Sequence, residues 1–241
     1  MYELRTYRDW VNDKDLVSFS VVVKETDLHI RARRDLSAEA LAATQRYRTD
    51  LESYIKSHPI FLTTLKPFEV EQNAPPIVKE MADATREVGV GPMAAVAGAI
   101  AERVGKELLS YSDEVIVENG GDIFLKTLKE RFIGVYAGKS KFTKKIAFSI
   151  RPEETPLGVC TSSGTVGHSL SFGYADAVIV FSPSTSLADA AATAIGNRVR
   201  MVEDIPEALE FAQSIKGLRG IAIIKGDDMG LWGQMRLAAV D

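Results

Sequence analysis

Asp189 and Thr193 stand four residues apart in the stretch 184–197, STSLADAAATAIGN. On a helix this spacing puts a carboxylate and a hydroxyl on one face, one turn apart. Ala188, Ala190, Ala191, Ala192 and Ala194 surround them, so a second backbone or a ligand can come close. Hard cations such as Mg²⁺ choose oxygen ligands and usually take only one or two from protein. The pair can therefore hold a metal that in turn holds a phosphate. The same residues also spell a helix start. Ser186 followed by Asp189 fits a capping box with Asp189 at N3, and alanine is the strongest helix former. Both readings stand at this point.

Two further polar clusters carry possible chemistry. Asn119-Gly120-Gly121-Asp122 joins two apolar runs, and Asn-Gly between strands is a strong hairpin signal because both residues tolerate positive φ. Paired glycines also let backbone amides approach a phosphate or a ring. Thr161, Ser162, Ser163, Gly164 and His168 belong to a hydroxyl- and glycine-rich loop that can line a polar pocket, although hydrophilic loops of this kind are common. No G-x-S-x-G elbow accompanies it, so no catalytic residue is assigned. The segment GVYAGKS (134–140) is one residue short of a phosphate loop and is followed by strand pattern rather than helix. The Gly226-Asp227-Asp228 carboxylates read as a turn.

The elements that must position these residues follow from periodicity. Val17, Phe19, Val21 and Val23 alternate, and Leu28, Ile30 and Ala32 return after a turn at Glu25–Asp27, as in a half-buried hairpin. A helix is expected from Ser37 to Ser57, with the stripe Leu41, Thr44, Tyr47, Leu51, Tyr54 and Ile55. Further helices are expected at 77–88, 93–109 and 207–215. Strands are expected at 114–118, 122–125, 132–137, 145–150, 158–161 and 177–181, with a terminal hairpin of 220–224 and 235–240. His29 and His58 lack a ligand partner at suitable spacing. Consecutive strands with short turns imply an α+β fold, mostly antiparallel, with its helices grouped on one side. The chain is expected to form a single domain or two lobes with a seam near 72–76.

Composition narrows the function classes. Of 241 residues, 46% are hydrophobic and 26% charged, with a net charge of −4, which argues against a nucleic-acid partner. Cys160 is the only cysteine, excluding an intrachain disulfide or a cysteine zinc cluster. No apolar run has the length of a membrane span and the N-terminus lacks a signal-peptide core, so a cytoplasmic protein with no membrane partner is expected.

Taken in order, GPMAAVAGAIAE (91–102), ENGGDI (118–123), CTSSG (160–164) and LADAAATAIG (187–196) resemble the motifs of the ApbE-type flavin transferases. Those are a small-residue helix, an N-x-G-G-D-like turn, a T-S-G loop and a late A-D-A-x-x-T-A helix. The resemblance spans roughly residues 89–225 and is nearest to a shorter branch of the superfamily. It implies FAD and Mg²⁺ as cofactors, and transfer of FMN to a Ser or Thr hydroxyl of an acceptor protein with release of AMP. Asp189 and Thr193 then align with metal-ligand positions, completed by a backbone carbonyl near Ala94. Gly120 and Gly121 lie against the nucleotide, with Thr161 to Gly164 at its border.

Two departures stand out. Ala97 occupies the place before Gly98 where the family often has lysine, and the H-x-x-D-P-x-x-G segment is replaced by SLSFGYADA after His168. The expectation is a protein that binds a flavin or adenine nucleotide with Mg²⁺. The alternatives are an FAD-cleaving enzyme, either transferase or hydrolase, and a non-catalytic scaffold keeping the fold.

Overall fold

Val17–Val23 (β1) and Thr26–Ala32 (β2) form the expected hairpin, with Leu28, Ile30 and Ala32 fully buried. The computed structural model of the protein describes residues 15–164 and 173–239. Helix α1 spans Ser37–Ser57, followed by a short helix α2 at Ile60–Thr63 that the sequence pattern did not signal. On α1 the buried stripe is Ala40, Ala43, Thr44, Leu51 and Tyr54, whereas Leu41 is exposed. Leu41 follows the buried Ala40 by one residue, about 100° round the helix, and so lies off the buried stripe. His58 ends α1, stacks on Tyr54 and lies 3.0 Å from Glu71.

Helix α3 spans Pro76–Val88 and ends on Gly89 in the left-handed region. The helix expected from Met93 divides in two: a 3₁₀ turn at Pro92–Ala95 and helix α4 at Val96–Leu108. Next come β3 (Val115–Asn119), β4 (Asp122–Lys126), β5 (Arg131–Gly134), β6 (Ile146–Ile150), β7 (Leu157–Ser162) and β8 (Ala177–Ser182). Helices α5 (Thr185–Gly196) and α6 (Ile205–Ser214) precede β9 (Gly220–Lys225), β10 (Asp228–Gly233) and β11 (Arg236–Ala239).

Eight strands make one antiparallel sheet in the order β1-β2-β3-β4-β7-β8-β9-β10, and β11-β6-β5 make a second. The period of two decides the layers. Val115, Val117, Phe124, Cys160, Val178, Val180, Ile221 and Ile223 face the helices. Ile116, Leu125, Val159, Ile179, Phe181 and Ala222 face the small sheet, where Phe148 meets Phe181 edge-on at 5.0 Å. The central strands are therefore apolar on both faces, as sheets covered on both sides require. The expected α+β class with helices on one side holds, and the second sheet covers the opposite face. Ala74 and Ile77, flanking Pro75-Pro76, belong to the same buried cluster as α1 and α4 residues.

The terminal hairpin is corrected. Strand β9 turns at Gly226 (φ +61°) into β10, and the last strand leaves to pair with β6. The glycines and aspartate of β10 disguise it as loop, yet its pairing needs them. A Cβ on Gly230 would stand 2.4 Å from Ile205 Cγ2, so only glycine lets α6 cross it. The GVYAGKS segment belongs to the β5–β6 connection, where turns and then strand follow it, and not to a phosphate loop.

Candidate functional site

Helix α5 is buried at Thr185 to Ala188, at Ala190 to Ala192 and at Ala194 to Gly196. The two gaps in that list are Asp189 and Thr193, both half-buried and one turn apart. They form the single open stripe of an otherwise enclosed helix, so carboxylate and hydroxyl share one opening. The alanines serve close packing as well. A Cβ on Gly98 of α4 would stand 2.5 Å from the Thr185 carbonyl oxygen and 2.8 Å from Asp189 Cβ.

The expected capping box does not form. Ser184 is the N-cap, its Oγ accepting the Leu187 N–H at 3.2 Å, which moves the helix start ahead of Ser186. Glu102 of α4 accepts the Thr185 and Ser186 N–H groups, and Ser186 Oγ donates to Glu80. Asp189 is freed from its own helix and caps another. Its Oδ2 accepts the Gly98 N–H at 2.8 Å, one of the amides that α4 leaves unpaired in its first turn. Its position is decided by packing between two helices distant in sequence.

The Asn119–Asp122 turn lies beside this contact. Gly120 and Gly121 have φ of +69° and +114°, and a Cβ on either would meet nothing within 4 Å. The hairpin reading accounts for both glycines, and the space above them is open. Asn119 Nδ2 donates to the Ala97 carbonyl at 3.1 Å, tying the turn to the residue before Gly98. Asp122, paired with Asn119 across the turn, is buried and neighbours Asp189. Burial pushes Asp122 up to about 7, with the Glu118 carboxylate adding to the rise. Bonds from the Cys160 thiol and the Thr161 N–H offset part of it. Burial first, then the Asp122 charge, also holds Asp189 well above the usual carboxylate range. Cys160 is raised by burial and by both carboxylates.

Thr161, Ser162 and Ser163 are half-buried at the end of β7, and Gly164 is exposed there, its N–H donating to the Ala175 carbonyl at 2.9 Å. A Cβ on Gly164 would stand 1.9 Å from the Gly173 carbonyl oxygen, so backbone crossing alone explains that glycine. His168 lies outside the described residues. Ala94 is half-buried in the 3₁₀ turn that packs on α5.

A cavity of about 600 Å³ opens against Ala97 and Asn119. Leu51 and Ile55 of α1 and Met93 give it apolar walls, and Lys24 and Arg48 stand among its charged lining residues. Arg48 bridges Glu25 and Glu52, and Lys24 also reaches Glu52. Sequence reasoning missed these residues, because Lys24 sits in a hairpin turn and Arg48 on a polar helix face with no motif around either. Cys160 was missed as a neighbour of Asp122; the alternation of β4 and β7 is the signal that places both on the helix-facing side of the sheet, while Glu118 falls on the opposite face with Ile116.

Among the described residues, no group of three or more His, Cys, Asp or Glu side chains could hold a metal. A cation here would depend on a mixed oxygen set: carboxylate, hydroxyl and carbonyl. The chemistry fits a hard cation. Asp122 is buried beside the half-buried Asp189, and its Oδ1 has no hydrogen-bond partner.

The model of the family described as AbpE bacteria matches residues 8–237. UPF0280 protein MJ1526 of Methanocaldococcus jannaschii is 45% identical over 221 residues, covering 89% of this chain and 90% of the relative. A UPF0280 protein of Methanosarcina acetivorans is 40% identical, covering 88% and 85% of the two chains. Among solved structures, the flavin transferase ApbE from Vibrio cholerae superposes with a TM-score of 0.56 at 14% identity, covering 93% of this chain and 96% of that one. The apo flavinyl transferase ApbE of Pseudomonas stutzeri gives 0.57 at 11% identity, covering 90% and 94%. At such identities the likeness is one of fold. No helix among the described residues is long and apolar enough to cross a membrane.

Proposed function

From the premise that this chain belongs to the AbpE bacteria family, we propose that it binds a flavin or adenine nucleotide together with Mg²⁺. The observation that carries the reading is the open stripe of Asp189 and Thr193 on an otherwise buried helix, with Asp189 bonded to Gly98, the neighbour of the Ala97 that lines the cavity and holds the Asn119 side chain. Asp189, Thr193 and the Ala94 carbonyl would hold the cation. Bound Mg²⁺ supplies charge neutralisation and orientation for a pyrophosphate. The chain's own share is positioning. Gly98 allows α4 and α5 to approach, and Asn119 anchors the glycine turn whose open face admits the ligand. Thr161 to Gly164 and His168 would border it, while Leu51, Ile55 and Met93 offer apolar contact for a ring.

Two features support binding over transfer to a protein acceptor. Ala97 presents a methyl group at the cavity wall where the resembling transferases often carry lysine, and its carbonyl is already engaged by Asn119. The segment after Gly164 also lacks the H-x-x-D-P-x-x-G pattern. In-line placement of nucleophile, phosphorus and leaving group can contribute about 7–11 kcal/mol to a rate, so loss of positioning groups weighs heavily.

Thermal unfolding with FAD, FMN, ATP and AMP, each with and without Mg²⁺, tests the reading. A ligand at about 100 times its Kd should stabilise the protein by about 2.7 kcal/mol. The Mg²⁺-dependent part should vanish in Asp189→Ala. Mass spectrometry of a mixture with FAD, Mg²⁺ and a threonine-containing acceptor should show little covalent FMN adduct. Robust adduct would establish a transferase instead, AMP without adduct a hydrolase. No thermal shift with any nucleotide would sink the binding reading in favour of a scaffold.

A further inference from the structure

We propose that Asp122 is a second carboxylate ligand of this site, so that the cation at Asp189 and Thr193 is gripped by two acidic side chains from different layers of the fold. The inference rests on the metal reading above and adds a residue to it. Asp122 is only 8% exposed. Its carboxylate receives the Cys160 thiol and the Thr161 N–H, yet Oδ1 has no hydrogen-bond partner at all. A buried acceptor left unsatisfied is costly, and a water, an ion or a catalytic role is what such a group calls for.

Its surroundings favour an ion. The acidic neighbour of Asp122 on the helix-facing side of the sheet is Asp189, another carboxylate. Two neighbouring carboxylates cannot both ionise at low cost, so the pair holds either a proton or a cation. The backbone holds the two in place rather than letting them part. Asp189 is tied to the Gly98 N–H, and Asn119, the strand partner of Asp122, is tied to the carbonyl of Ala97, the residue before Gly98. These contacts tie the turn that carries Asp122 to the same end of α4 that Asp189 caps. A side chain placed there for structure alone would be expected to carry a counter-charge, as other buried acids of this protein do.

The experiment is a Mn²⁺ titration followed by electron paramagnetic resonance, using the full chain as wild type, Asp122→Asn and Asp189→Asn. Asparagine keeps the shape and removes the charge. Asp122→Asn should weaken Mn²⁺ binding about 10-fold or more, at least the effect of losing an outer-sphere partner. Without metal it should melt at the same or a higher temperature, because a buried repulsion has gone. A purely structural Asp122 would give the opposite pair: unchanged Mn²⁺ affinity and a lower melting temperature. That result overturns the proposal and leaves the Asp189 site standing. Wild type that takes up no Mn²⁺ at millimolar concentration sinks both.

Crystals of wild type grown with Mn²⁺ give a second measurement that needs no variant. The anomalous peak should lie about 2.0–2.6 Å from Asp122 Oδ1, the span of Mg²⁺ and Ca²⁺ bonds to oxygen. A peak bonded to Asp189 but remote from Asp122 overturns the proposal.

Discussion

Glu114 and Asp122 mark opposite ends of the β3–β4 hairpin, and both are buried. At the open end, Glu114 Oε1 accepts Thr127 Oγ1 at 2.6 Å and Arg131 Nη2 at 2.6 Å. Its Oε2 lies 3.2 Å from Arg33 Nη2, an ion pair without hydrogen-bond alignment. Arg131 reaches on to Asp15 at 2.7 Å. At the turn end, the acidic neighbour of Asp122 on the same side of the sheet is Asp189, and one Asp122 oxygen has no hydrogen-bond partner. Burial pushes both acids upward. Thr127 and Arg131 reverse the push for Glu114, leaving it below its ordinary value, while Asp122 stays raised. One hairpin thus carries a completed ion network where the two sheets meet and an uncompensated one where a ligand would enter.

Removing a partner at the completed end should have the largest effect. Arg131→Ala strands Glu114 without its closest cation, and breaking a buried pair on one side typically costs about 3–5 kcal/mol. Urea unfolding would measure it. A loss below about 1 kcal/mol would mean that Arg33 and Thr127 suffice and that the contrast between the two ends is weaker than drawn.

The next effect belongs to the other end and leaves the ion network untouched. Gly98→Val drives side-chain atoms into the Thr185 carbonyl and the Asp189 side chain. Overpacking of this kind costs about 1–3 kcal/mol. It should also abolish the Mg²⁺-dependent thermal shift by parting α4 from α5. Retention of the full metal-dependent shift would show that the site tolerates a wider helix spacing.

The smallest effect is silent at neutral pH. Glu114 and Asp15 are both held below their ordinary carboxylate values, Asp15 chiefly by Arg131 and then Lys129. Their folded values being lower than the unfolded ones, the stability they add is complete above about pH 4.5 and is lost as pH falls through the folded values. Melting temperatures from pH 7 down to 3 should fall steeply for wild type. Arg131→Met, which removes the partner, should show a flatter acid limb. Parallel curves would place the acid sensitivity elsewhere.

Much of the fold is legible in local pattern. Leu28, Ile30 and Ala32 announce a buried face, and Ser37–Ser57 is helical to the residue. The hairpin turn is where Asn-Gly announces it, but positive φ falls on Gly120 and Gly121, and Asn119 stays in β3 as the strand partner of Asp122. The candidate site was legible in part: the one-turn spacing of Asp189 and Thr193 describes a shared face correctly. What the capping box mispredicted was the start of α5, because Ser184 and Ser186 are both plausible caps and only the Glu102 carboxylate, brought in from α4, distinguishes them. Strand β10 was hidden because its glycines serve a crossing helix, a demand written in α6 and not in the strand.

The sequence by itself determined the periodicities, the turns and the residue types, since each depends on neighbours within a few positions. Which strand lies beside which was decided only by the tertiary structure. Strand β7 pairs with β4 across the intervening β5–β6 hairpin, and β11 leaves β10 to join β6. The same holds for the site. Nothing local tells that Asp189 caps α4, that Asn119 is tied to Ala97, or that Asp122 and Asp189 are neighbours. Short-range pattern records which face of an element is apolar, whereas the partner of that face is settled by packing the whole chain at once, where small residues such as Gly98 permit approach and larger ones forbid it.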